Sequence, residues 1–319
     1  MRLVQVFDPR LGRRVGYLDD EVVYDLTAAD PENAASTLSL IRASQGRGLP
    51  LFIRGLLHKG VDPGWRWADL DVPAGSRPHL LPPIDAPEVW AAGLTYERSR
   101  DAREAESEGH ADFYTLAYEA ERPELFIKTS NMLRVAGPNA PIGIRTDSNW
   151  TVPEPELSLA IDGDGAIIGY TLGNDVSARD IEGENPLYLP QAKVFRGCCA
   201  LGPTLYVPVE DVDSRDWVIR LRILELDGTE ALSSRVSVRS MRRTLVDLVS
   251  YLCRDNDIAP GTVLMTGTGI VPEDEFSLEP GQTVEIAMEP VGVLRNPVLA
   301  SDDPVFRVAA VETIGTAGS

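Results

Sequence analysis

The chain has 319 residues, 43% of them hydrophobic, so it is long enough to bury a large core in one large or two modest domains. Its formal net charge of −19 argues against a nucleic-acid partner or an anionic membrane, because no basic block offsets it. No apolar run approaches the roughly 20 residues that span a bilayer and no secretory apolar region opens the chain, so we expect no membrane partner and a cytoplasmic location.

Residues 1 to about 80 are predicted to form a small N-terminal domain. Strand-forming segments at residues 3–7, 14–18 and 22–26 are followed by helical segments at residues 34–45 and 51–59. A proline-rich run then predicts an extended linker into a catalytic domain over residues 81–319.

The catalytic part opens with a buried-strand pattern at residues 89–94. A charged helix is predicted from Thr95 to about residue 107. Arg100 and Glu104 carry opposite charges four residues apart, which indicates a helix that faces solvent.

The sequence in the middle of the chain predicts a β-hairpin around which the rest of the protein is organised. Residues 157–161 and 166–172 are rich in strand-forming residues, and the Asp-Gly-Asp-Gly sequence between them is typical of a turn. We expect this turn to pair Ile161 with Ala166.

That pairing places three carboxylates together. It sets Glu156 opposite Thr171 and Glu154 opposite Gly173, and Asp175 follows one side-chain repeat later. Because strand side chains alternate between faces, all three acids are predicted to project from one face, with diagonal neighbours roughly 7–8 Å apart. A slip of one residue in the turn would move Asp175 to the other face.

Three carboxylates this close repel one another and need a compensating cation. Oxygen ligands without His or Cys favour a hard divalent ion, Mg²⁺ first, with Mn²⁺ or Ca²⁺ as alternatives. The other interpretation of the pattern is a solvated acidic edge of a hairpin.

Lysine usage gives one further indication. Lysine occurs only at Lys59, Lys128 and Lys193, among 30 basic residues. In a chain that otherwise uses arginine, a retained lysine hints that a compact ammonium group is needed. The three cysteines are odd in number and lack the spacing of a metal site, so reduced thiols in or near the core are expected.

Several ordered motifs between residues 90 and 297 resemble the fumarylacetoacetate hydrolase superfamily. They are P-E-P-E-L, G-Y-T-L-G-N-D-V-S-A-R-D, a lysine soon afterwards, T-G-T at residues 266–268, and L-x-P-G-x-x-V-E at residues 278–285. The resemblance implies an α+β fold with a mixed β catalytic domain, a homodimer or homotetramer, and Mg²⁺ or Mn²⁺ on the matching acids Glu154, Glu156 and Asp175.

The chain departs from the hydrolases of this superfamily at one point. Thr95-Tyr96 replaces an Asn-Tyr pair, and Ser99 stands where the catalytic His of the hydrolases is expected, with His110 too far along to substitute. Without a His/Glu dyad, hydrolysis of a carbon–carbon bond lacks its general base.

Residues 93–100 and 122–128 instead resemble the branch that acts on 2-keto-3-deoxy sugar acids, the dehydratases of 2-keto-3-deoxyarabinonate and related pentonates. In that branch a glutamate lies by the substrate. Glu124 is the best match, with Glu119 and Glu121 as alternatives.

The resemblance also implies roles around the acids. A proline-punctuated loop at residues 186–193 is expected to deliver Lys193 towards them, where it binds the substrate carboxylate or transfers a proton. Arg179 either braces the loop with Asp180 or contacts the substrate. The residues assigned to substrate binding are Arg98, Ser99, Arg179, Lys193 and Thr268, and Lys193 and Glu124 are assigned to catalysis.

We therefore predict a Mg²⁺-dependent hydro-lyase that dehydrates a 2-keto-3-deoxy sugar acid, in sugar-acid catabolism, through an enolate formed at C3. The small-molecule 2-keto acid is the expected partner. The alternatives are carbon–carbon hydrolysis of an acylpyruvate or a 2,4-diketo-3-deoxy sugar acid, and a 2-keto acid binding protein without catalysis.

Overall fold

A computed structural model describes residues 1–46, 48–99, 101, 111–273 and 275–306. The predicted α+β class is confirmed. The strands are β1 Arg2–Asp8, β2 Gly12–Asp19, β3 Val22–Asp25, β4 Pro63–Arg66, β5 His79–Leu81, β6 Val89–Gly93, β7 Glu124–Thr129, β8 Val135–Ala136, β9 Ile142–Ile144, β10 Thr151–Val152, β11 Pro155–Ile161, β12 Ile167–Asp175, β13 Ser177–Ala178, β14 Cys199–Tyr206, β15 Val218–Leu224, β16 Glu230–Ser237, β17 Thr262–Met265, β18 Thr283–Met288 and β19 Gly292–Ala300. The α-helices are α1 Leu26–Ala29, α2 Thr37–Ala43, α3 Leu49–His58, α4 Trp67–Leu70, α5 Ala111–Glu119, α6 Arg179–Glu184, α7 Leu189–Lys193 and α8 Leu245–Leu252.

One large sheet runs through both the N-terminal and the catalytic part of the chain. Its strand order is β4-β3-β2-β1-β14-β12-β11-β17-β6-β7. Outside this order, β5 pairs with β1 and β8 pairs with β14. The two parts join where β1 pairs with β14 in antiparallel fashion, with Leu3 opposite Leu205. The domain boundary near residue 80 stays a prediction. The large sheet continues across this boundary.

A second sheet of five strands, in the order β16-β15-β18-β19-β9, covers one face of the first. Strands β11, β12 and β14 lie against β15, β18 and β19. The strand β11 is buried along its whole length, as expected for a strand enclosed on both faces. Glu156 and Asp175 therefore lie on strands that are buried almost throughout, and Glu154 comes directly before β11.

Several predicted elements have different bounds or types in the structure. The predicted linker is not a free connection, because β5 within it pairs with β1 as part of the large sheet. The loop at residues 186–193 is a 3₁₀ turn followed by the short helix α7, since Pro190 at the start of a helix removes no intrahelical hydrogen bond. Residues 97–99 are helical as predicted, but Arg100, Glu104 and His110 lie outside the described residues.

Within the part of the chain that the structure describes, no helix is both long and apolar enough to cross a bilayer.

Candidate active site

The hairpin of β11 and β12 forms, but its register differs from the expected one. Ile161 pairs with Ile167 rather than Ala166, and a bulge next to Ala160 then adds a second residue to β12. Glu156 consequently lies opposite Gly173, and the Asp175 N–H donates to the Glu154 carbonyl at 3.0 Å. The shift is two residues in total, so each side chain keeps the face that was predicted for it.

The three predicted acids come together at the end of this hairpin. Carboxylate oxygens of Glu154, Glu156 and Asp175 all lie within 4.8 Å of one another, and each side chain is buried. We refer to these residues as the acid trio. The Asn174 side chain accepts from the Glu154 N–H at 3.1 Å, which holds the chain at the start of β11.

Glu156 is held by the bend that follows β17. The N–H of Gly267 donates to a Glu156 carboxylate oxygen at 2.7 Å. Gly267 has φ +92°, and a Cβ at this position would lie 2.1 Å from the Thr95 hydroxyl oxygen. Only glycine combines this conformation with this close approach, so the T-G-T motif supports a ligand of the predicted metal.

Lys193 lies beside the acid trio, at the end of α7. Its ammonium donates to Glu154 at 2.7 Å and to the Ser177 hydroxyl at 2.6 Å, and lies 3.4 Å from Asp175. Glu182 on α6 is 3.9 Å away. The structure thus brings the predicted catalytic lysine to the predicted metal ligands.

Arg179 also contacts the acid trio. Its buried guanidinium donates to Glu154 at 2.9 Å. Asp180 instead accepts from the Ser148 hydroxyl and from the Asn149 N–H. Arg179 therefore pairs with a metal ligand, and its contact with substrate stays a prediction.

A cleft opens next to the acid trio, and most of the predicted site residues line it. Its lining consists of Ala92, Gly93, Leu94, Ser99, Glu124, Phe126, Glu154, Glu156, Asp175, Glu182, Lys193 and Thr268. Glu124 reaches the cleft over Gly93, where a Cβ would lie 2.0 Å from its carboxylate oxygen. Glycine at residue 93 therefore makes room for the carboxylate.

Of the remaining predicted residues, Thr268 lines the cleft, whereas Arg98, Glu119 and Glu121 do not. Thr268 is buried, and its hydroxyl donates to the Ile270 carbonyl at 3.1 Å. Arg98 is exposed and absent from the cleft lining, with its guanidinium donating to the Val271 carbonyl at 3.1 Å. The alternatives Glu119 and Glu121 are exposed and lie outside the cleft lining.

Sequence reasoning missed two buried charged residues at the site. Lys128 is completely buried and forms an ion pair with Asp175. Burial lowers the pKa of its ammonium, but the Asp175 carboxylate more than offsets this, so the pKa of Lys128 is raised. The scarcity of lysine was the signal that could have found it. Glu182 offered no signal, because an acid on a short helix resembles an ordinary surface charge.

The residues at the site fit a divalent cation. Burial raises the pKa of Glu156 well above its usual range, and repulsion from Asp175 and Glu154 adds to the effect. The Gly267 N–H and Lys193 compensate only in part. Oxygen donors of this kind suit Mg²⁺, whose double charge would relieve the repulsion among the acid trio.

Comparison with known proteins agrees with the motifs. Residues 88–299 match the family model described as fumarylacetoacetate (FAA) hydrolase C-terminal. The chain is 41% identical over 291 residues to a probable 2-keto-3-deoxyxylonate dehydratase of Haloferax volcanii, covering 90% of this chain and 95% of that protein. It is 42% identical over 222 residues to the 2-dehydro-3-deoxy-D-arabinonate dehydratase of Saccharolobus solfataricus, covering 69% of this chain and 74% of the relative.

A solved structure is similar over nearly the whole chain. It is a 2-keto-3-deoxy-D-arabinonate dehydratase complexed with magnesium and 2,5-dioxopentanoate, with a TM-score of 0.76, 34% identity, and coverage of 94% of this chain and 99% of that one. Dehydratases are hydro-lyases, so the predicted class of enzyme is confirmed. The chain belongs to the fumarylacetoacetate hydrolase family, in the branch that contains the dehydratases of 2-keto-3-deoxy sugar acids.

Proposed function

We propose that this protein dehydrates a 2-keto-3-deoxypentonate, such as 2-keto-3-deoxyarabinonate, with Mg²⁺ bound at the acid trio. One observation carries the proposal: the Glu124 carboxylate and the Lys193 ammonium line the same cleft as the acid trio. Elimination of water needs a group that carries a proton from C3 to the leaving C4 hydroxyl and a cation that stabilises negative charge on the substrate, and this cleft offers both.

Glu154, Glu156 and Asp175 would hold the metal, with Mn²⁺ or Ca²⁺ as alternatives. A divalent ion there supplies Lewis-acid polarisation of the 2-keto group, which makes the C3 hydrogens more acidic.

Glu124 is the proton carrier of the proposed reaction. It is the cleft carboxylate that projects from β7 over Gly93, apart from the acid trio. A carboxylate in this position takes the proton from C3 and returns a proton to the hydroxyl that leaves C4. The substrate loses one water from C3 and C4, and two proton shifts, which move hydrogen from C5 and its hydroxyl to C3 and C4, yield a dioxo acid.

Lys193 binds negative charge in the same cleft. Because its ammonium is already hydrogen-bonded to Glu154 and Ser177, it is a donor rather than an acceptor of protons in this arrangement. It suits the carboxylate of the substrate, and it stabilises negative charge that develops on the 2-keto oxygen. The buried hydroxyl of Thr268 lies in the cleft as a second polar contact.

The cleft favours dehydration over carbon–carbon hydrolysis. In the hydrolases of this family a His/Glu dyad activates the water, and the described lining of the cleft contains no histidine, with Ser99 at the matching position. We also propose a cytoplasmic role in sugar-acid catabolism and a homodimer or homotetramer, which light scattering on the purified protein would test.

The reaction type is tested by product mass. Purified protein is incubated with Mg²⁺ and a panel of 2-keto-3-deoxypentonates, 2,4-diketo acids and acylpyruvates. Loss of one water from a pentonate supports the proposal. Two fragments from a diketo acid would assign hydrolysis instead, and binding without any product would assign a binding protein.

A further inference from the structure

Lys128 is a buried lysine that the proposed reaction does not use, because its side chain does not line the cleft. It belongs to β7, the strand that carries Glu124 and Phe126 to the cleft. The pairing of β7 with β6 shifts between Val89 and Trp90, which leaves Lys128 as the extra residue of a β-bulge. Bulges re-aim side chains, and this one turns Lys128 towards the acid trio.

The ammonium of Lys128 is surrounded by three oxygen atoms. It forms an ion pair with Asp175 Oδ1, donates to the Val176 carbonyl at 3.0 Å, and donates to the Lys193 carbonyl. A lysine ammonium is only a donor, and these contacts are two backbone carbonyls and one carboxylate. Two backbone hydrogen bonds and a buried ion pair, at 0% exposure, indicate a fixed structural cation rather than a group that turns towards a ligand.

These contacts join two parts of the proposed site. Asp175 is a member of the acid trio, and Lys193 is the last residue of α7. Carbonyls in the last turn of a helix have no intrahelical partner, and a cation there is favourable. Lys128 therefore caps α7 at the residue whose side chain enters the cleft.

We propose that Lys128 is a positioning residue that fixes the backbone of Lys193 relative to Asp175. The inference rests on the proposed function for the role of Lys193. The two lysines then have separate tasks: Lys193 contacts substrate, and Lys128 holds Lys193 at the distance from the acid trio that the reaction needs.

Two substitutions of equal length separate the hydrogen bonds of Lys128 from its charge. Lys128→Met and Lys128→Gln both remove the ammonium, but glutamine keeps N–H donors for the two carbonyls. Misplacement by about 1 Å can lower a rate about 100-fold, so we expect a kcat loss of about that size for Lys128→Met. Lys128→Gln should retain at least about tenfold more activity than Lys128→Met, because its donors still hold the Lys193 carbonyl.

A second readout does not depend on turnover. The chain has only three lysines, so protein labelled with ¹⁵N-lysine gives three side-chain ammonium signals by NMR. We expect the Lys193 signal to shift and broaden in Lys128→Met and to stay near its wild-type position in Lys128→Gln. Lys59→Met, at an exposed lysine outside the cleft, identifies one signal and serves as the control with unchanged kcat.

The outcomes are distinguishable. Wild-type kcat and an unshifted Lys193 signal in Lys128→Met would overturn the positioning role, as would equal losses in the Met and Gln variants. Should Lys128→Met fail to fold by circular dichroism, Lys128→Gln against wild type decides, and a displaced Lys193 signal there counts against the inference. A wild-type protein that dehydrates no 2-keto acid would refute the proposed function, and the NMR comparison would still test the position of Lys193.

Discussion

The members of the acid trio are held by two kinds of neighbour, side-chain cations and a backbone N–H. Glu154 pairs with the side chains of Arg179 and Lys193, whereas Glu156 accepts from a backbone N–H. Asp175 pairs with the buried Lys128. Side-chain cations can be removed one at a time by substitution, but the backbone donor to Glu156 can be changed only through the bend that carries it.

At the scale of single residues, substitution of Glu124 tests proton transfer separately from metal binding. Glu124→Gln removes the proposed proton carrier, and general acid–base groups contribute about 100-fold or more, so we expect at least that loss in kcat. The affinity for Mg²⁺, measured by the thermal shift that Mg²⁺ causes, should stay within about twofold, because Glu124 is outside the acid trio. The matched control is Glu121→Gln, three residues earlier and exposed, which should leave kcat unchanged. A fully active Glu124→Gln would exclude this residue as the carrier.

The raised pKa of Glu156 predicts that the stabilisation of the fold by Mg²⁺ depends on pH. Its pKa is raised in the folded metal-free protein, so between its ordinary and its raised pKa the folded state binds more protons than the unfolded state. The free energy of unfolding without metal therefore falls as pH rises through this window. Mg²⁺ requires the deprotonated carboxylate, so the increase in Tm caused by Mg²⁺ should grow with pH. Calorimetry across this range checks it, and Glu156→Gln should flatten the dependence. A Mg²⁺ shift that is the same at every pH would contradict the assignment.

At the scale of elements, the hairpin shows what could be predicted from the sequence. The facing of Glu154, Glu156 and Asp175 depends on the parity of the register, and that parity was predicted correctly because two errors of one residue each add to two. The turn pairs Ile161 with Ile167 instead of Ala166, and a bulge beside Ala160 adds the second residue of the shift. Neither feature has a signature in a run of strand-forming residues.

The buried charged residues of the site were harder to predict from the sequence than the acid trio. Lys128 occupies a bulge in β7 that depends on the pairing with β6, and Glu182 is buried only because α6 packs beside α7. Both are consequences of tertiary packing, which local sequence patterns do not encode. Lys193 was predicted because a family motif placed it, although the loop expected to deliver it is the helix α7.

Gly267 in the bend after β17 and Gly281 in the turn before β18 allow a matched pair of glycine substitutions. Gly267 and Gly281 have φ of +92° and +98°, so alanine strains the backbone similarly at both, by about 1–3 kcal/mol. Only at Gly267 does the added Cβ meet the Thr95 hydroxyl oxygen, whereas nothing lies within 4 Å at Gly281. We expect Gly267→Ala to lower the free energy of unfolding in urea by about 2 kcal/mol more than Gly281→Ala, and to weaken Mg²⁺ binding. Equal losses with intact Mg²⁺ binding in both would show that the bend does not support Glu156.

At the scale of the whole molecule, the N-terminal part and the catalytic part share one sheet and one large buried cluster, and the N-terminal strands pack a second, smaller cluster of their own. Leu3, Val15 and Leu26 belong to the same buried cluster as Leu157 and Leu172. Removing the first strands would expose the edge of β14, which leads by way of β12 to the acid trio. The site therefore depends on packing that extends far beyond the residues of the family match.

This continuity predicts cooperative unfolding. A shared core and a shared sheet couple the two parts, so heating the metal-free chain should give a single calorimetric transition, with equal calorimetric and van't Hoff enthalpies. Two separate transitions, with the N-terminal part melting first, would contradict the coupling and support a division near residue 80.

The central claim is that the acid trio binds a divalent ion on which dehydration depends. The most direct measurement follows the loss of water from a 2-keto-3-deoxypentonate by protein stripped with a chelator, before and after Mg²⁺ is added, in wild type and in Glu154→Gln. We predict no turnover without Mg²⁺, full recovery in wild type when it is added, and no recovery in a folded Glu154→Gln. Dehydration at the full rate by the stripped protein, or wild-type recovery in the variant, would contradict the claim.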